Sequence, residues 1–98
     1  MELIFEWDRN KAKSNLRKHK ISFEEAKTVF HDDLLVTFSD SFHSDEENRL
    51  ISIGASANGR ILLVVHTENT KLKNTFVIRI ISSRKATASE RKTYEKEK

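Results

Sequence analysis

Hydrophobic positions along this chain change period more than once, and each change marks an element. Leu3, Ile4, Phe5 and Trp7 form a short apolar run broken only by Glu6, which predicts a short strand over Leu3 to Trp7. Asp8 follows as an N-cap. Residues 9 to 19 then carry only Ala12, Leu16 and His19 on one stripe, so the pattern predicts a surface helix docked along a narrow side. Ser22-x-x-Glu25 is a capping box, and Phe23, Ala26, Val29 and Phe30 at i, i+3, i+6 and i+7 give the helix it opens a buried face. Beyond it the period falls to two. Strands are predicted over Leu34 to Phe38, Leu50 to Ala55, Ile61 to Thr67 and Thr75 to Ser82, forming an antiparallel meander with Asn58-Gly59 as the hairpin turn between the second and third. Thr87-x-x-Glu90 opens a last, largely polar helix that runs to about Glu95. The expected fold is α+β: two N-terminal helices packed on an antiparallel sheet of about four strands, plus a short N-terminal strand, with a short C-terminal helix.

Ninety-eight residues fit a single domain, 1–98, with one core. Proline is absent and there are only two glycines, which favours continuous secondary structure; Gly59 belongs to the hairpin, and Gly54 marks a strand bulge or a close backbone approach. The lack of cysteine excludes disulfides, thiolate metal sites and cysteine nucleophiles, and it suits a reducing compartment. Neither an export signal nor a membrane span is visible, since the longest apolar runs, Ile61 to Val65 and Phe76 to Ile81, are strand-sized. A soluble cytoplasmic protein is expected.

Charge adds a direction to this picture. Lys and Arg number 18 against 15 acidic residues, a net +3, which favours an anionic partner. Arg9, Lys11, Lys13, Arg17, Lys18, His19 and Lys20 lie together without one acid, while most carboxylates fall between residues 24 and 47. Arg79 interrupts the β-branched run Val77 to Ile81, and a charge there costs several kcal/mol unless it is paired or lies in an open groove. The hydroxyls, Arg84 and Lys85 of Ser82 to Thr87 lead straight into the capping box. That join reads either as a phosphate-holding strand-to-helix junction or as an ordinary cap beside an edge arginine. Strand parity aligns Arg49 with Ile51 and Ile53, Arg79 with Val77 and Ile81, and His66 with Val64 and Leu62; if those faces coincide, they form a cationic cluster on one sheet surface.

His19, His31, His43 and His66 have no metal-ligand spacing, so neither a metal nor a cofactor is expected, and Asp32-Asp33 and Asp45-Glu46-Glu47 read as solvated loops. Hydrolase, P-loop and dinucleotide fingerprints are absent. Trp7 is expected to anchor the core rather than stack a base. For Tyr94 two roles stay open, proton donation or stacking against simple packing of the tail helix.

Three segments together resemble the BrnT family of bacterial toxins: Phe5-Glu6-Trp7-Asp8 with Lys11, Asn15, Lys18 and His19; Ser22-Phe23-Glu24-Glu25-Ala26 with Val29-Phe30; and Arg79-Ile80-Ile81-Ser82 with Arg84-Lys85-Ala86-Thr87, Glu90-Arg91 and Tyr94. Glu47-x-Arg49, Ile53-Gly54 and Val64-Val65-His66-Thr67 fall in the order this family shows. The resemblance implies a RelE-like fold and a ribonuclease that shuts down translation. It also implies a cognate antitoxin with a ribbon-helix-helix DNA-binding domain, through which alone operator DNA would be reached. Two departures are Lys20, where the family usually has glycine, and Asn69 to Asn74, expected to make the last hairpin loop longer and more basic than usual.

Metal-free RNA cleavage needs a base for the ribose 2′-hydroxyl, cations for the pentavalent phosphate and an acid for the leaving oxygen. On this reading Arg79 and Arg49 hold the phosphate with support from Arg84 and Lys85, Lys11 and Lys18 contact RNA, free or on the ribosome, and Glu47 or His66 moves protons. The competing readings are a non-catalytic nucleic-acid-binding module and a scaffold that only binds its antitoxin as a co-repressor.

Overall fold

The structure is a computed structural model describing residues 2–40 and 48–96. Its elements run β1 (Glu2–Glu6), α1 (Arg9–His19), α2 (Phe23–Ala26), β2 (Val36–Ser39), β3 (Leu50–Ala55), β4 (Ile61–Leu72), β5 (Thr75–Lys85) and α3 (Ala88–Lys96). Glu47, His43 and the acidic run Asp45-Glu46-Glu47 lie outside the described residues.

Local chemistry accounts for the helix ends. The Asp8 carboxylate accepts from the backbone N–H groups of Asn10 (2.7 Å) and Lys11 (3.0 Å), satisfying two of the orphan donors that start α1. Lys20 closes the helix with φ 61°, its N–H reaching Leu16 O at 2.9 Å, so a lysine adopts the left-handed conformation that glycine takes without strain. The Ser22 hydroxyl accepts from Glu25 N–H at 3.0 Å, but the Glu25 carboxylate does not return to Ser22. It turns instead to Ser56 Oγ (2.7 Å) and to Arg60, tying α2 to the β3–β4 hairpin. The second helix was expected to continue through Phe30; only one α-turn forms, and Lys27–His31 tighten into a 3-10 helix. Thr28 gives the reason. Its hydroxyl bonds Glu25 O at 2.6 Å, and the residues that follow, Val29 and Phe30, are mediocre helix formers.

The sheet order is β1-β5-β4-β3-β2. Strands β2 to β5 form the expected antiparallel meander, whereas β1 pairs parallel to β5, from Glu2 opposite Thr75 to Glu6 opposite Arg79. The sheet is therefore mixed, a correction to the antiparallel expectation. Alternation of side chains shows that a strand exists but not which neighbour it takes or in which direction. A second correction concerns Asn69 to Asn74. The β4–β5 ladder continues to Leu72 opposite Thr75, leaving only Lys73 and Asn74 to turn the chain, with Asn74 at φ 67°. Gly59 (φ 81°) turns the β3–β4 hairpin, and Gly54 is a close approach: a Cβ there would lie 2.7 Å from Leu35 Cδ1.

Both faces of the sheet are used. On the helix side Ile21, Phe23, Ala26 and Val29 pack on Leu62, Val64, Ile78 and Ile80, with Leu3, Phe5 and Trp7 against them. Trp7 meets Phe23 edge-on at 5.8 Å, which makes it a core anchor. On the far side Ile53, Leu63 and Tyr94 form a smaller cluster with Val36, Ile51, Ile61, Val65 and Ala86. Tyr94 is buried and donates to Asp32 Oδ2 at 2.7 Å; that bond and burial push its pKa up to about 12, so of its two open roles the structure fits packing. Asp32, expected to be solvated, also accepts from the N–H groups of Leu34 and Ala55.

Beyond Arg79, strand β5 has no β1 partner, and α1 closes this free edge through Asn15. The buried Asn15 amide imitates a neighbouring strand: Nδ2 donates to Ser83 O (2.9 Å) and Ile21 O (2.9 Å), while Oδ1 accepts from Ser83 N–H (3.0 Å). A bulge between Val65 and His66 leaves Ile81 outside the pairing, because Val65 faces Ser82 and His66 faces Ile80.

Candidate functional site

Helix α3 covers the far face only near Ile53 and Leu63. At the other end of that face a cross-strand row runs over the sheet. Glu6 lies opposite Arg79 and Arg79 opposite Thr67, and continuing the antiparallel ladder one step past its last pair, Leu50–His66, sets Arg49 toward Thr67. Directly paired residues share a sheet face, so Arg49 and Arg79 lie on the same side with two strand spacings between them, about 10 Å at Cα. A cleft of about 370 Å³ opens here, lined by Glu6, Asn48, Thr67, Glu68, Asn69, Val77 and Arg79. Arg79 Nη1 donates to Glu6 Oε2 at 3.3 Å, with the two side chains 42% and 45% exposed. A guanidinium has five N–H donors, so this bond leaves capacity for an anion in the cleft.

His66 is on the opposite side of the sheet. Its ring is 0% exposed, stands edge-on to Phe30 at 4.8 Å, and its Nε2 shares a 2.7 Å hydrogen bond with Ser52 Oγ. Burial pushes its pKa down to about 4, with the Thr67 backbone working against that shift. The expectation that His66 moves protons beside Arg79 is corrected on geometry: the sheet stands between them and the imidazole has no route to a substrate here.

Arg84 and Lys85 are not brought to the cleft either. They lie five and six residues farther along β5, roughly 16 to 20 Å away. Arg84 forks onto Glu90, Nη1 to Oε1 at 2.8 Å and Nη2 to Oε2 at 2.9 Å. Glu90 in turn accepts from Thr87 N–H (2.9 Å) while Thr87 Oγ1 accepts from Glu90 N–H (3.2 Å). The capping box is thus complete, and the anion at this strand-to-helix junction is the protein's own carboxylate, which removes the phosphate-holding reading of the join. The ion pair holds Glu90 below and Arg84 above its ordinary pKa. Lys85 is exposed beside Gly59, Arg60 and Arg91.

Lys11 and Lys18 flank a shallow groove with Ser14, Asn15 and His19 of α1 and with Ile81 and Ser82 of β5. At the start of this helix Asp8 is held below its ordinary pKa, first by the backbone donors of Lys11 and Asn10 and then by the charges of Lys11 and Arg79. The groove borders Ile81 and Ser82, just past Arg79, the last β5 residue that pairs with β1. Glu6, Thr67, Asn48 and Asn69 were missed as site residues from sequence. Only the polar parity of β1 hinted at Glu6, and its importance depends on the parallel pairing.

Among the described residues no three His, Asp or Glu side chains cluster as metal ligands, and no described helix is long and apolar enough to cross a membrane. Among curated proteins there is no significant match. In three dimensions the chain is similar to the crystal structure of the Brucella abortus ribonuclease toxin BrnT, with a TM-score of 0.63, 21% identity, and 89% of this chain and 99% of that one covered. The sequence model of the ribonuclease toxin BrnT of type II toxin-antitoxin systems matches residues 7–90. A match over most of the chain, together with a fold shared almost throughout, makes this protein a member of the BrnT family of ribonuclease toxins.

Proposed function

We propose that this chain is a metal-independent endoribonuclease that inhibits translation in the cytoplasm, in the manner of RelE-like toxins, and is neutralised by a ribbon-helix-helix antitoxin. Membership of a type II toxin family implies a cognate antitoxin, whose DNA-binding domain would carry the complex to its operator. The observation that supports the reading most is the row Thr67–Arg79–Glu6, with Arg49 one residue before the Leu50–His66 pair, which gathers two arginines at one end of the sheet and has Arg79 lining the cleft. Arg79 and Arg49 would bind the scissile phosphate and stabilise charge as the fifth oxygen adds. Lys11 and Lys18 would carry the RNA strand over the edge of β5. Arg84 is committed to Glu90 and serves the fold.

The test is incubation of the purified, antitoxin-free chain with RNA in EDTA, with and without ribosomes, followed by chemical analysis of the new ends. Fragments ending in 2′,3′-cyclic or 3′-phosphate are expected, and Arg79→Ala should slow their formation by roughly 10² to 10³, the cost of losing one preorganised charge. Full cleavage by a folded Arg79→Ala variant would refute the assignment. No cleavage by the wild type would leave the non-catalytic binding module as the better reading.

A further inference from the structure

We infer that Glu6 is the general base of this site, accepting the proton of the ribose 2′-hydroxyl. The inference rests on the ribonuclease reading above and extends it to the proton transfer; of the two sequence candidates, His66 is sealed on the other face and Glu47 lies outside the described residues.

Three observations converge on Glu6. It is locked in place by backbone pairing, since β1 pairs in parallel with β5 at Glu6–Arg79. Its Oε2 is 3.3 Å from Arg79 Nη1, so a phosphate held by the remaining donors of that guanidinium brings the adjacent ribose within reach of the carboxylate. A base must approach the oxygen it deprotonates to about 2.6 to 3.2 Å, and a carboxylate already in contact with the phosphate-binding cation meets that condition with a small side-chain rotation. Glu6 also lines the cleft and is 45% exposed at its side chain, so substrate can reach it. Glu68 lines the same cleft, but the Arg79 guanidinium bonds to Glu6 and Glu68 is paired with Ile78 across the ladder.

The step balances without a cofactor. The 2′-hydroxyl proton passes to a Glu6 oxygen, the 2′-oxygen forms a bond to phosphorus, and the bond from phosphorus to the 5′-oxygen of the next nucleotide breaks. The departing 5′-oxygen takes a proton from water. The products are a 2′,3′-cyclic phosphate and a 5′-hydroxyl, and Glu6 returns its proton to solvent.

Two variants separate base catalysis from mere positioning of Arg79. Glu6→Gln keeps the shape and an oxygen that accepts from Arg79 but takes up no proton at neutral pH, whereas Glu6→Ala loses both functions. The full chain is used at saturating concentration with a labelled RNA in EDTA. Single-turnover cleavage is measured beside affinity for the same oligonucleotide carrying a non-cleavable 2′-deoxy position, and thermal melting checks the fold. Glu6→Gln should cleave at least about 100-fold more slowly while binding as tightly as wild type or tighter, because one negative charge is removed. Near-wild-type cleavage by Glu6→Gln with a slow Glu6→Ala would reduce Glu6 to a positioning residue. Near-wild-type cleavage by both would make it a surface ion pair, the more so if Glu47→Gln alone abolished activity. An inactive wild type would overturn the ribonuclease reading itself, an outcome distinct from any difference between variants.

Discussion

Acidification should weaken this fold well before its carboxylates titrate, and the cause is a single buried ring. His66 has no exposed surface, and its pKa falls from the ordinary 6.5 to about 4 in the folded chain. Above pH 6.5 the imidazole is neutral whether the chain is folded or not, so nothing is lost. As pH drops below 6.5 the unfolded chain takes up a proton that the folded one refuses, and stability falls until the folded ring also titrates near pH 4. The full shift corresponds to roughly 3 kcal/mol, of which about 2 kcal/mol is lost between pH 7 and pH 5. Asp8, Glu25 and Glu90 have lowered pKa values, so their contributions are present above the usual carboxylate range and disappear only as pH falls through and below it. The window from pH 7 to 5 therefore isolates the histidine. Urea denaturation of wild type and His66→Gln across that window reads the effect directly: the wild type should lose about 2 kcal/mol, while the variant, weaker at pH 7, should change little. A wild-type loss below about 0.5 kcal/mol, or an equal loss in both proteins, would refute the buried neutral imidazole.

Asn15→Ala strips partners from Ser83 N–H, Ser83 O and Ile21 O, three buried hydrogen bonds worth about 1 kcal/mol each. Thermal melting should fall by roughly 10 to 25 °C, and a drop of only a few degrees would contradict the edge-clamp role. Lys20→Gly should stabilise the chain by about 0.5 to 1 kcal/mol by relieving the left-handed cap at φ 61°, as read by the urea midpoint. Tyr94→Phe should cost about 1 to 2 kcal/mol through the lost bond to Asp32 and leave RNA cleavage unchanged; a large loss of cleavage in a folded variant would restore a catalytic role to this hydroxyl.

What the sequence could reveal was whatever is written locally. Asp8 and the Thr87–Glu90 box mark their helix starts because capping chemistry is confined to a few neighbouring residues. Parity aligned Arg49 with Ile51, and the pairs Leu50–His66 and Thr67–Arg79 carry the Arg49 end across to Arg79 on the far side of the bulge at Val65/His66. The same reasoning failed for His66, whose parity with Val64 and Leu62 was right but whose face is the helix-covered one. Parity separates two faces without saying which of them a helix covers. Arg84 misled for another reason: a cation six residues before a glutamate reads equally as a phosphate ligand or as an internal ion pair, and only the turn between them decides. Glu6 was invisible because its meaning comes from a parallel pairing across most of the chain.

That pairing also governs when the molecule can become dangerous to the cell that makes it. Glu6 and Arg79 are 73 residues apart, and β1 finds its only strand partner in β5. During synthesis the first strand emerges early and waits through α1, α2 and three further strands before its neighbour exists, so the cleft is a late product of translation. A nascent or prematurely terminated chain that stops short of β5 has the basic helix but neither Arg79 nor the strand that would set Glu6 beside it. The topology thereby delays assembly of the Glu6–Arg79 cleft until most of the polypeptide has been made.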